Sequence, residues 1–219
     1  MWCIPQLTPE FKERMEDVLT LYAKPYNPKE PVVCLDEKSK QLLADSRPSL
    51  PLAPAKTAVQ DYEYVRKGTR NIFVAVEPKG GRHITQVTQR RKKPDYALFF
   101  EKLVAAYPHA KTIHLVQDNL NIHFLSSLIE AFGVRKAKRL WERITPHYTP
   151  KHASWLNMAE IEIGILDRQC LNRRIPSADK MEREVRAWTK KRNEHRCCIT
   201  WKFTKEKAAK TFPSLYTET

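Results

Sequence analysis

The sequence predicts an α/β domain: a mixed sheet flanked by helices, with a helical N-terminal arm. Three observations carry that expectation. Short apolar runs at residues 31–36 (PVVCLD) and 112–118 (TIHLVQD) read as buried strands, and each ends in an aspartate. Residues 71–77 (NIFVAVE) and 83–88 (HITQVT) read as two further strands, joined by the hairpin chemistry of Lys79-Gly80-Gly81-Arg82. Between and after these runs, apolar residues recur three and four apart, the spacing of helices packed on a core.

Taken in order, residues 8–22 predict a helix. Thr8 is suited to cap it, Pro9 to its first position, and Phe11, Met15, Val18, Leu19 and Tyr22 form its stripe. Pro25, Pro28 and Pro31 stop it, so residues 1–30 read as an arm and linker. After the strand at 31–36, Pro48, Pro51 and Pro54 make residues 45–60 an extended loop. The hairpin is followed by the basic run Arg90-Arg91-Lys92-Lys93. Pro94 then opens a helix carrying Tyr96, Phe99, Phe100, Leu103 and Val104.

The stretch at 112–123 (TIHLVQDNLNIH) organises the remainder. Its strand ends at Asp118, and a helix is expected over 121–132, with Ile122, Leu125, Leu128 and Phe132 inward and Gly133 closing it. Residues 140–145 (LWERIT) predict one more strand, and 146–155 (PHYTPKHASW) a loop with two histidines. Ser154 is placed as the cap of a helix running to about residue 171, with Leu156, Ala159, Ile163, Leu166 and Cys170 inward. Another helix starts at Ser177, and a short basic one follows Thr204.

Composition bounds the function. With 39 Lys and Arg against 25 Asp and Glu, the chain carries +14, which points to a polyanionic partner, nucleic acid ahead of membrane. No stretch approaches the roughly 20 apolar residues of a membrane span, and the N-terminus lacks a secretory pattern. Five cysteines without CxxC spacing suggest reduced thiols in a cytoplasmic protein. His195, Cys197 and Cys198 form a corner that no second ligand pair completes as a zinc site, and no glycine-rich phosphate loop exists.

Three acids stand at ends of core elements: Asp36, Asp118 and, on a late helix, Glu160. A lone aspartate after a strand is equally a turn or capping residue. Three converging carboxylates, however, repel one another unless a cation neutralises them, and hard divalent ions suit such oxygen donors. Two ions about 4 Å apart serve phosphoryl displacement. On a helical wheel Glu160 shares a polar strip with Asn157, Gly164, Asp167 and Arg168, whereas Glu162 falls beside Met158 and Ile165. That favours Glu160 over Glu162 as the working acid.

The segments CLDEKS (34–39), VQDNLNIH (116–123), TPKHASWLNMAEIEIGIL (149–166) and RQCLNRRIP (168–176) resemble the catalytic domain of DDE transposases, in the bacterial insertion-sequence branch of the mariner-type superfamily. The resemblance spans almost the whole chain, with its motifs in the family's order. It implies a ribonuclease-H-like catalytic domain over residues 31–215, with Asp36, Asp118 and Glu160 as catalytic, metal-binding acids for a pair of Mg²⁺ or Mn²⁺ ions. It implies DNA strand cleavage and strand transfer during transposition of a mobile element. Supporting roles are expected for Asn119, His123 and Asn157, and backbone contacts to double-stranded DNA for Lys38, Arg90, Arg91, Arg173 and Arg174. A homodimer on DNA is also implied. Two features depart from the pattern. Asp118 and Glu160 are separated by 41 residues, longer than usual, and no room precedes the arm for a helix-turn-helix module, which is therefore expected to be separate or missing. A ribonuclease-H-like nuclease and a non-catalytic DNA-binding remnant are the alternatives.

Overall fold

A computed structural model describes residues 7–47 and 62–216. Five strands form one sheet: β1 (Val32–Asp45), β2 (Tyr64–Glu77), β3 (Arg82–Thr88), β4 (Ile113–Gln117) and β5 (Ile144–Tyr148), in the order β3-β2-β1-β4-β5. The β1–β2–β3 half is antiparallel, and β4 and β5 add on in parallel. The sheet is therefore mixed, with helices on both faces.

Period-two alternation assigns each strand residue to a face. Val33, Leu35, Phe73 and Ala75 point to one side. There they meet α2 (Lys93–Ala105), α3 (Leu125–Phe132) and α4 (Val134–Trp141). Cys34, Val76 and Val116 point to the other side. They are covered by α1 (Pro9–Ala23), the start of α5 (Ala159–Leu166) and α7 (Lys205–Thr211). Ile72 and Val74 on that same side pack on α5 and α6 (Ala178–Glu194).

The N-terminal helix forms as its residues predict: the Thr8 hydroxyl accepts from the Phe11 amide at 3.2 Å. It is seated on the sheet, with Phe11, Met15, Val18, Leu19 and Tyr22 all buried. Ser177 and Thr204 likewise cap α6 and α7. In the β2–β3 hairpin Gly81 has φ of +69°, and a Cβ there would stand 2.6 Å from the Arg196 backbone, so this position requires glycine.

Several expectations need correction. The strand bearing Asp36 does not end at it: β1 runs 14 residues to Asp45, because β2 continues to pair with it beyond the edge of β4. Asp45 closes that strand, and the rest of the loop expected over 45–60 falls largely outside the described residues, which omit 48–61. The helix expected over 121–132 starts at Leu125, since residues 118–124 are held in turns by Asp118 and Leu120. Leu140 and Trp141 belong to α4, not to a strand; Ala137 and Leu140 are its buried side, and the strand begins at Ile144. β5 takes in Pro146 and His147, residues expected in a loop. It pairs with β4 alone, and such an edge strand tolerates proline.

The helix expected from Ser154 to about residue 171 is broken into three pieces. A single 3₁₀ turn covers Ser154–Leu156, Asn157 is extended, α5 follows, and Asp167–Leu171 is a π-helical turn. Its inward residues are those the spacing predicts: Leu156, Ala159, Ile163, Leu166 and Cys170 are buried.

Candidate active site

The site lies at the carboxyl end of β4, where α/β sheets commonly carry their chemistry. The parallel register pairs Cys34 with Val116, so Asp36 and Asp118 stand level with each other two residues beyond the last pair. Asp36 shares the parity of Cys34 and faces the α5 side of the sheet; Glu37 faces the α2–α3 side. Asp36 is partly buried and accepts the Glu37 amide at 2.7 Å. Burial, then the negative charges of Glu37, Glu160 and Asp118, push its carboxyl up to about 7. The acids thus share one electrostatic neighbourhood.

Asp118 behaves oppositely. Burial would raise it, but hydrogen bonding and charge from His123, with the Leu120 amide and the Arg91 charge, hold it below the ordinary aspartate range. His123 Nδ1 stands 2.8 Å from Asp118 Oδ1, and Nε2 stands 2.7 Å from Glu37 Oε1. His123 is fully buried; burial alone would discharge it, but the two carboxylates push it up to about 10. The residue is held at its ring and at its backbone. Tyr96 lies against it with centroids 4.8 Å apart, while the Gln117 amide and Tyr148 hydroxyl donate to its backbone carbonyl at 3.2 and 3.1 Å.

Asn157 joins the third acid to the sheet. Its Nδ2 donates to the Leu35 carbonyl at 2.7 Å, and its Oδ1 accepts the Ala159 amide at 3.1 Å. One buried side chain therefore caps α5 and ties it to β1 beside Asp36. The Tyr22 hydroxyl adds a second tie, to the Leu156 carbonyl at 2.8 Å. Glu160 sits exposed in the first turn of α5. Glu162 does not share its side: it is fully buried, 2.5 Å from Arg192 Nη2 and 3.0 Å from His83 Nε2. Burial opposes its ionisation, but His83 and Arg192 hold it below the ordinary glutamate range.

The other residues marked in the sequence divide. Asn119 is exposed beside Asp118. Arg90 and Arg91 are exposed, and the charge of Arg91 reaches Asp118. Lys38 is paired with Asp167 at 3.3 Å, Arg173 with Glu184 at 2.5 Å and Arg174 with Asp45 at 2.8 Å. His147 is bound to Asp17 at 2.6 Å and to His114 at 3.0 Å. Among the described residues, no group of three or more His, Cys, Asp or Glu side chains is gathered closely enough to hold a metal ion. Sequence reasoning missed Glu37, whose only signal was its place immediately after Asp36. It also missed Gln117, Tyr96 and Tyr148 as the frame around His123.

Comparison with known proteins agrees with this architecture. The model of a family described as DDE superfamily endonuclease matches residues 31–182. Among solved structures, the Mos1 mariner paired end complex with Mn aligns over 90% of this chain and 60% of that one, at 16% identity and TM-score 0.56. The Mos1 strand transfer complex aligns over 90% and 61%, at 15% identity and TM-score 0.55. The Mos1 paired end complex with Mg aligns over 100% and 66%, at 14% identity and TM-score 0.56. Identities this low establish a shared fold. The chain spans about 60% of the length of the first of these proteins. No curated protein sequence matches it.

Proposed function

Because the chain belongs to the DDE superfamily of endonucleases, we infer that it is the catalytic domain of a transposase. Its reaction is cleavage of DNA strands at the ends of a mobile element, followed by joining of the freed 3′-hydroxyls to target DNA. The observation that carries this reading is the level placement of Asp36 and Asp118, with the charge of Glu160 acting on Asp36. The net charge of +14 supports a DNA substrate. The solved relatives are paired end and strand transfer complexes, which favours the same substrate and a dimer on two ends. The motif resemblance favours a bacterial insertion sequence as the element, with its helix-turn-helix module on a separate segment.

The chemistry of the donor set suits a hard divalent cation, which would draw the three carboxylates together. All three side chains offer carboxylate oxygens; burial first, then the charges of Glu37, Glu160 and Asp118, raise the Asp36 carboxyl, and a cation would offset both. Asp36, Asp118 and Glu160 would hold Mg²⁺ or Mn²⁺. Bound there, a pair of such ions would supply activation of the attacking oxygen and stabilisation of the leaving one. The chain's own residues supply position. Asn157 keeps α5 and Glu160 against β1, and His123 keeps the Asp118 carboxylate turned to one side. Glu162 serves the core through Arg192 and His83.

The test is strand cleavage and joining on a pre-nicked duplex of the element's own end, with Mg²⁺ or Mn²⁺. Wild type should give joined products, and Asp118→Asn and Glu160→Gln should abolish them. Cleavage without joining would replace the transposase reading with a nuclease. Binding without chemistry under either metal would mark a remnant.

A further inference from the structure

The strand alternation that aims Asp36 at the α5 side sends its neighbour Glu37 through to the opposite side of the sheet. Glu37 does not emerge there into solvent. Its side chain is 1% exposed and ends 2.7 Å from His123 Nε2. His123, itself 0% exposed, reaches Asp118 Oδ1 with its other ring nitrogen at 2.8 Å. A single imidazole thus bridges two carboxylates from different strands. The ring is confined by Tyr96 on its face and by hydrogen bonds to its carbonyl from Gln117 and Tyr148.

Burying Glu37 and His123 is expensive unless their polar atoms are satisfied, and here each ring nitrogen has a carboxylate partner. The geometry also answers a need of the site. Asp118 is only half covered, with its side chain 41% exposed, so neighbouring packing does not set its rotation. What does set it is the hydrogen bond from His123, with the Leu120 amide at 3.2 Å on the same oxygen, Oδ1. Both engage one oxygen and leave Oδ2 without a described partner. The orientation of His123 in turn depends on its second nitrogen, as for a histidine whose far nitrogen is fixed by an outer carboxylate.

We propose that Glu37 is a positioning residue of the active site: acting through His123, it fixes the carboxylate of Asp118 with one oxygen held and the other presented to the cation. The inference rests on the reading of Asp118 as a metal ligand. Glu37 itself is not assigned as a ligand, because His123 occupies it on the far side of the sheet.

The test uses Mn²⁺ alone, with the full chain and no DNA, and counts free Mn²⁺ by electron paramagnetic resonance. Circular dichroism reports whether each variant is folded. Glu37→Ala and His123→Ala should each weaken Mn²⁺ binding by about ten- to a hundredfold. The double variant should be no weaker than His123→Ala alone, since both lie on one chain of contacts. Glu37→Gln retains an oxygen that accepts from Nε2 and should restore binding to within about threefold of wild type. Glu37→Met, similar in length but without that oxygen, replaces Glu37→Ala should the smaller side chain prevent folding. Wild-type affinity in folded Glu37→Ala or Glu37→Met would overturn the proposal. So would additive losses in the double variant, or a Glu37→Gln as weak as Glu37→Ala. Asp118→Asn separates the two levels: if it binds Mn²⁺ like wild type, the metal-ligand reading fails and this inference with it. If it loses binding while Glu37→Ala keeps it, the positioning role alone fails.

Discussion

Replacing Glu162 by glutamine should unfold the protein more easily without touching the candidate acids. Glu162 has a side chain with no exposed surface, 2.5 Å from Arg192 Nη2 and 3.0 Å from His83 Nε2, and Arg192 is itself only 16% exposed. Removing one partner of a buried ion pair typically costs about 3–5 kcal/mol. Glutamine keeps an oxygen acceptor, and Arg192 retains some access to water, so the low end applies, about 3 kcal/mol. For a domain of this size that lowers Tm by roughly 6–12 °C. Glu160 is exposed in the same helix, and Glu160→Gln should change stability by less than about 0.5 kcal/mol. Urea unfolding followed by tryptophan fluorescence measures both, and a displaced midpoint at constant slope identifies a stability change. The acid limb adds a sign. The Glu162 carboxyl lies lower in the folded than in the unfolded chain, so its stabilisation is present above about pH 4.5 and is lost as pH falls below. The gap between wild type and Glu162→Gln should therefore be constant near neutrality and shrink in acid. Equal midpoints for wild type and Glu162→Gln, or an equally large loss in Glu160→Gln, would refute the assignment of Glu162 to the core.

Three further outcomes are expected. Asn157→Ala leaves the Leu35 carbonyl and Ala159 amide without their partner, which should lower stability by about 2–3 kcal/mol in urea unfolding; a loss below 0.5 would exclude the tie between α5 and β1. Burial pushes the Cys34 thiol up to about 12, so at pH 8 mass-mapped alkylation should spare Cys34 while modifying exposed Cys198, with Cys34 reacting only after denaturation. Arg91 is exposed close enough for its charge to reach Asp118, so Arg91→Gln should reduce the salt dependence of DNA binding by about one unit of log–log slope; an unchanged slope would place Arg91 off the DNA backbone.

Much of this architecture is legible because it is local. The apolar run in residues 71–77 and the β-branched residues of 83–88, with two glycines between, predict the hairpin found. Thr8-Pro9, Ser177 and Thr204 announce helix starts through chemistry confined to one turn. The wheel that put Glu160 and Glu162 on different sides needed only the helical period, and it describes the exposed and buried positions they occupy. Element boundaries were less legible. The strand expected at Leu140 is displaced to Ile144 because Ala137 and Leu140 find a helix-packing partner that neighbouring sequence does not reveal. The extension of β1 to Asp45 depends on β2, with partners 19 to 36 residues away, supplying the other half of the ladder.

Covalent spacing and side-chain chemistry, present before folding, already specify three acids in motif order, a helix that separates Glu160 from Glu162, an excess of positive charge and a mixed α/β alternation. How these residues meet is settled by the folded chain. It set Asp36 level with Asp118 through the register of two parallel strands, and it placed Glu37 against His123, two residues 86 positions apart. It also paired Lys38, Arg173 and Arg174 with acids of their own at or near the surface. The pairing of Glu37 with His123 depends on which faces share a buried space, where an unpaired charge is costly. No property of a residue and its neighbours along the chain specifies that partner.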